Sequence, residues 1–152
     1  MELIKHYSVY DLDYHLINTR NPISSQTAQC EKAYQFWKNS WQNTFDSLGV
    51  NGHKMFSDDF LDREVNALFH HGEPVALFFN NWFDITRQST LDHSYFKNHP
   101  PQVLSFLKEM GFKNVMFLSY MTVHPNWRSQ FIEVSMPDLL FSLSISRFKS
   151  LG

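Results

Sequence analysis

Cysteine, excess charge of either sign and long apolar runs are all scarce in this chain, and each shortage excludes something. Cys30 is the single cysteine among 152 residues, so no intrachain disulfide can form and a reducing compartment is expected. Thirteen basic residues face fifteen acidic ones, for a formal net charge of -2. A sequence-independent grip on nucleic acid needs a basic face, so no nucleic-acid partner is expected. No stretch stays apolar for the roughly 20 residues that a membrane helix requires. Met1 to Asp13 lacks the basic start and apolar core of a signal peptide. These absences together predict a cytoplasmic protein without a membrane partner. Internal repeats, low-complexity segments and linkers are missing as well, which predicts a single domain over residues 1–152.

Apolar residues are plentiful, at 43% against 18% charged. Aromatic residues reach 16%, with 15 Phe and 4 Trp, enough to fill a core or to line an apolar pocket. Leu3 to Tyr10 reads as a short strand, and Asn18 to Gln29 as a polar loop. From Glu31 to Leu48, Tyr34, Trp37, Trp41, Phe45 and Leu48 recur at steps of three and four. That spacing predicts an amphipathic helix with an aromatic stripe. Gly49 and Asn51-Gly52 end it. Ser57-Asp58-Asp59-Phe60 predicts a short second helix.

Val65 to His71 and Pro74 to Trp82 read as two strands joined by a turn at Gly72, a hairpin. Asp84 to Asn98 is a polar connection. A helix follows Pro100-Pro101, through Val103, Leu104, Leu107 and Met110, and Gly111 caps it. Asn114 to Val123 is apolar on both alternating sets, which predicts a strand covered on both faces. Ser135 as N-cap would start a last helix with Pro137 in its first turn, whereas a start near Ser129 would leave Pro137 to kink it. The order gives an α/β (α+β) layer arrangement with a mixed, mainly antiparallel sheet flanked by helices.

Eight histidines invite a metal reading. His70 and His71 are neighbours in a predicted strand, so their side chains are expected on opposite faces and not around one ion. His93 and His99 fall in a polar connection. No Cys-x-x-Cys or His-Glu-x-x-His spacing supports them, and no metal is expected. Cys30 lies just before the aromatic helix, where a small residue suffices.

The segment Val123-His124-Pro125-Asn126-Trp127-Arg128 closes the apolar strand with Val-x-Pro-x-x-Arg. A buried strand ending in this way, followed by a loop and a helix, resembles the acyl-CoA-binding element of GNAT-type N-acyltransferases. The order of elements upstream resembles that superfamily too. The resemblance implies a GNAT-like sheet and transfer of an acyl group, acetyl or longer, from an acyl-CoA or acyl-carrier thioester to a small-molecule amine. It implies backbone contacts to the thioester end from Met121, Thr122 and Val123, and a phosphate loop made of Arg128, Ser129, Gln130, Phe131, Ile132 and Glu133. Tyr120, His124 and Asp84 would orient the acceptor or move its proton. The plainer alternatives are a sheet tyrosine, a turn histidine and a loop carboxylate. The acyl-CoA is a co-substrate, and this chemistry needs no metal.

The chain departs from the family pattern at three places. Phe131 and Glu133 stand where the loop carries glycines, which limits backbone approach to a phosphate. Pro137 moves the start of the last helix beyond the loop. The resemblance also stops short of the C-terminal strands of the fold. The apolar strand 114–123 is then expected at an open edge, covered by a second copy or by a partner chain. A non-catalytic binding domain of the same fold, or an inactive truncated relative, is the alternative reading.

Overall fold

The computed structural model describes residues 4–7, 11–50, 54–97, 99–128 and 135–151, the first stretch by its backbone alone. In chain order the elements are strands β1 (Ile4–Tyr7) and β2 (Leu12–Asn18), helix α1 (Thr27–Ser47), strands β3 (Glu64–His70) and β4 (Glu73–Asp84), helices α2 (Gln88–Leu91), α3 (Ser94–Lys97) and α4 (Pro101–Glu109), strand β5 (Asn114–Val123) and helix α5 (Met136–Ser150). Two compact units result, residues 1–80 with 118–152, and residues 81–117.

The expected class is found: an antiparallel sheet combined with helices. The five strands lie in the order β1-β2-β3-β4-β5, so each pairs with the next in sequence. β1 to β4 pair antiparallel, in registers that include Ile4 with His15, Leu12 with His70 and Asn18 with Glu64. β2 is an element that the sequence reading missed. Polar Asp13 and His15 interrupt its apolar positions, yet Leu12, Tyr14 and Ile17 are all buried.

In the larger unit, strand pleating sends alternate residues of β3 to opposite layers. Val65, Ala67 and Phe69 join Leu77 and Phe79 of β4 under α1, which contributes Cys30, Ala33 and Trp37. Leu68 joins Val75, Ala76 and Phe78 on the other face, under Met136, Leu140 and Leu143 of α5. Val75 and Ala76 share a face because the β3–β4 ladder slips between Leu68 and Phe69, a bulge. Leu48, expected in the aromatic stripe, lies past the end of α1 and is 70% exposed. Ser135 caps α5 by accepting from the Asp138 N–H, with Pro137 in the first turn as expected.

Two residues, His71 and Gly72, join β3 to β4, and both have positive φ (49° and 76°). That pair of left-handed residues marks a type I′ turn, whose twist suits a hairpin. Lys32 of α1 reaches the turn, donating to the Gly72 carbonyl at 2.7 Å and pairing with Glu73.

β5 corrects an expectation. It closes the sheet at one end, and its residues are mostly half-buried, not covered on both faces. β3 and β4 hold the covered positions instead. Apolar residues on both sides of β5 therefore mark an edge that packs with each layer incompletely.

In the smaller unit, the polar connection forms two short helices, α2 and α3. Phe83, Phe96 and Phe117 meet edge to face at 5.2 to 5.7 Å. Beside them Phe96, His99, Val103, Leu104, Leu107 and Phe117 line a pocket of about 270 Å³.

Candidate functional site: the edge strand β5

The strand β5 breaks its own alternation. Leu118, Met121 and Val123 pack toward α5, whereas Tyr120 packs toward α1. Leu118 and Met121 are three apart, so one residue between them is out of step with a regular pleat. Tyr120 itself has a φ of 53°, rare for a bulky residue. A left-handed residue in a strand turns its peptide groups away from the ladder.

Surrounding side chains hold Tyr120 there. Its ring meets Trp37, Trp41 and Phe79 at centroid distances of 5.3 to 5.4 Å. The Thr122 hydroxyl donates to the Tyr120 carbonyl at 2.7 Å and accepts from the Trp41 indole N–H at 3.0 Å. Strain of about 1–3 kcal/mol at such a residue persists only where its surroundings over-determine it.

This break opens onto a groove of about 430 Å³. Ser40, Trp41 and Thr44 of α1 form one wall, and Met121, Thr122 and Val123 of β5 the other, with Arg128 and Pro137 completing it. Four of the residues expected at the thioester and phosphate end are thus brought together: Met121, Thr122, Val123 and Arg128. Ser129, Gln130, Phe131, Ile132 and Glu133 lie outside the described residues.

Arg128 makes a different contact from the expected one. Its Nε donates to the Val123 carbonyl at 3.0 Å and so covers the last acceptor of the strand.

His124 lines a second groove of about 470 Å³ with Lys32, Phe36, Asn39, Glu73 and Pro74. Its ring stacks on Phe36 at 6.2 Å, and its backbone N–H donates to the Val75 carbonyl at 2.8 Å. Nδ1 accepts from the Asn126 N–H at 3.3 Å, so the neutral ring carries its hydrogen on Nε2.

Asp84 belongs to the smaller unit. Its Oδ1 accepts from the Thr86 hydroxyl at 2.6 Å and from the Thr86 N–H at 2.9 Å. Those bonds hold its carboxyl below the ordinary value, and a carboxylate stabilised in this way is a weaker proton acceptor.

The sequence reading also misplaced His71. It sits outside the strand, in the left-handed turn position, and this swings its ring toward that of His70, 4.0 Å away between centroids. The two imidazoles therefore do not point to opposite faces. Assigning both residues before β4 to a two-residue turn would have shown this.

No helix among the described residues is long and apolar enough to cross a membrane. Compared with family models, with curated proteins and with solved structures, the chain finds no match.

Proposed function

We propose that this chain is a GNAT-like N-acyltransferase that moves an acyl group from an acyl-CoA or acyl-carrier thioester to a small-molecule amine. One observation carries the reading: the edge strand β5 leaves its pleat at Tyr120 beside a groove that Met121, Thr122, Val123 and Arg128 line. An extended pantetheine arm is an amide chain, and it recognises a strand edge as another strand would. The groove gives such an arm an apolar wall in Trp41 and Met121 and a cation in Arg128.

In the reaction the acceptor nitrogen attacks the thioester carbonyl and forms a C–N bond. The oxyanion collapses, the C–S bond breaks, and the proton that the nitrogen sheds ends on the leaving thiolate. His124 lines the neighbouring groove, and its neutral ring is too weak an acid to protonate a thiolate, so it is not assigned that step. Asp84 is not assigned a proton-accepting role, because Thr86 already occupies its carboxylate. A cytoplasmic location belongs to the same proposal and fits the single buried Cys30.

The bond from Arg128 to the Val123 carbonyl favours a second reading, a non-catalytic binding domain of the same fold. In it the strand end is already satisfied, and the edge receives a partner chain or a second copy.

Calorimetric titration with acetyl-CoA and with a long-chain acyl-CoA separates the two. Saturable binding at micromolar strength, weakened by Arg128→Ala, is the expected result, and it justifies an acceptor screen. A folded sample that binds neither thioester overturns the enzyme reading in favour of the second.

A further inference from the structure

The register of β2 on β3 pairs Leu12 with His70. The residue before Leu12 is Asp11, and the residue after His70 is His71, so both fall at the same end of the sheet. Each has a left-handed backbone, at φ of 53° and 49°. Asp and His are among the few side chains that tolerate this region, but it is uncommon for either. Its effect is to turn both side chains back toward His70. The Asp11 carboxylate then lies 3.3 Å from His71 Nδ1. One ligand atom from each of Asp11, His70 and His71 falls within 4.8 Å of the others.

We propose that Asp11, His70 and His71 form a binding site for a first-row divalent cation of the zinc class. Two imidazoles and one carboxylate are a donor set that selects Zn²⁺, Ni²⁺ or Co²⁺ over Mg²⁺ and Ca²⁺, which prefer all-oxygen surroundings. Bonds of about 2.0–2.2 Å around a tetrahedral ion require the donors to close slightly. Asp11 and His71 are exposed and His70 is half-buried, so rotation of the outer two achieves this. Three protein ligands leave a coordination position for water or for a substrate atom. The ion joins the start of β2 to the β3–β4 turn, so it binds the folded chain in preference to the unfolded one and raises stability. His70 also meets Trp127 at 5.1 Å between ring centroids, which places an optical reporter beside the site.

The inference is independent of the acyltransferase reading and rests on other residues. The experiment titrates Zn²⁺ into the full chain, freed of any histidine tag, and follows heat. One saturable site per chain is expected. Asp11→Asn and His71→Asn should each weaken it by about tenfold or more, since even an outer partner of a metal ligand is worth that much. Asparagine tolerates the left-handed backbone at both positions. In parallel, Ni²⁺ should quench tryptophan fluorescence at stoichiometric concentration, and Trp127→Phe should remove most of that response. Absence of a saturable site overturns the proposal. So does a Zn²⁺ affinity that neither variant changes, which would assign the binding to other histidines. If Asp11→Asn fails to fold, His71→Asn and the quenching measurement decide the question.

Discussion

The indole N–H of Trp41 donates to the hydroxyl of Thr122 at 3.0 Å, across 81 positions of sequence. This bond ties the aromatic face of α1 to the one irregular stretch of β5. The same hydroxyl donates onward to the Tyr120 carbonyl, so one oxygen serves both the helix and the strand.

Replacing Thr122 by valine keeps the shape and removes that oxygen. A part-buried indole donor and a strand carbonyl then lose their partner. The expected cost is about 1–3 kcal/mol in urea unfolding, with the slope unchanged. The proposed acyl-CoA site should suffer in step, because the left-handed backbone at Tyr120 loses a restraint. Wild-type affinity for acyl-CoA in Thr122→Val would separate the groove from the hydroxyl.

Trp37 sits at the centre of the layer under α1, with no exposed surface and with Phe60, Phe79 and Tyr120 against its rings. Its Nε1 has no hydrogen-bond partner among the described residues. Trp37→Ala should cost about 3–5 kcal/mol through the cavity it leaves. Trp37→Phe should cost much less, because it fills most of the space and removes an unsatisfied donor. Equal losses in the two variants would mean that the phenyl ring recovers none of the packing energy and that contacts specific to the indole set it.

Burial, and then the charge of Glu31, raise the Cys30 thiol above its ordinary value. The thiol stays protonated at neutral pH and should react slowly with iodoacetamide. The folded state holds this proton more tightly than the unfolded chain does. The resulting stability is present below the ordinary thiol range and is lost as pH rises through the raised value. Unfolding midpoints followed from pH 7 into the alkaline range should fall less in Cys30→Ala than in the parent chain.

Glu64 on β3 accepts from both Nε and Nη2 of Arg147 on α5, at 2.9 and 2.5 Å, and from the Asn80 amide at 3.0 Å. These bonds raise the guanidinium above its ordinary value, against its partial burial. Glu64→Gln keeps the size and removes the charge. A loss of about 1.5–3 kcal/mol is expected from a half-buried, two-pronged pair. A loss near zero would place the pair with solvent-screened surface bridges.

Local pattern revealed some elements and hid others for physical reasons. The run Asn114 to Val123 was legible to the residue, because a β-prone stretch stood between Gly111 and Pro125. The hairpin was legible through Gly72, and α1 through the spacing of Tyr34, Trp37 and Trp41. β2 was not, although Asp13 and His15 alternate with Leu12, Tyr14 and Leu16 as in a half-buried strand, because the pattern is short and runs into the polar segment after it. The edge position of β5 was expected from the resemblance, but its half-buried faces were not, since apolar residues on both sides suggest full cover. Met121, Thr122, Val123 and Arg128 were legible as a group because they are adjacent in sequence. The left-handed Tyr120 was not, since tyrosine favours regular strands and it takes three rings from α1 and β4, with the Thr122 hydroxyl, to hold it otherwise. The meeting of Asp11 with His71 required the register of two strands that are far apart in sequence.

The two-residue turn at His71-Gly72 also bears on the order in which the chain assembles. It gives β3 and β4 the smallest loop to close, whereas β2 reaches β3 only after the span from Asn18 to Glu64 has been gathered in. Loop closure costs entropy before any contact repays it, so the hairpin is expected to zip first and to template the later strands. Substitutions at His71 that resist a left-handed backbone should then slow refolding more than they speed unfolding.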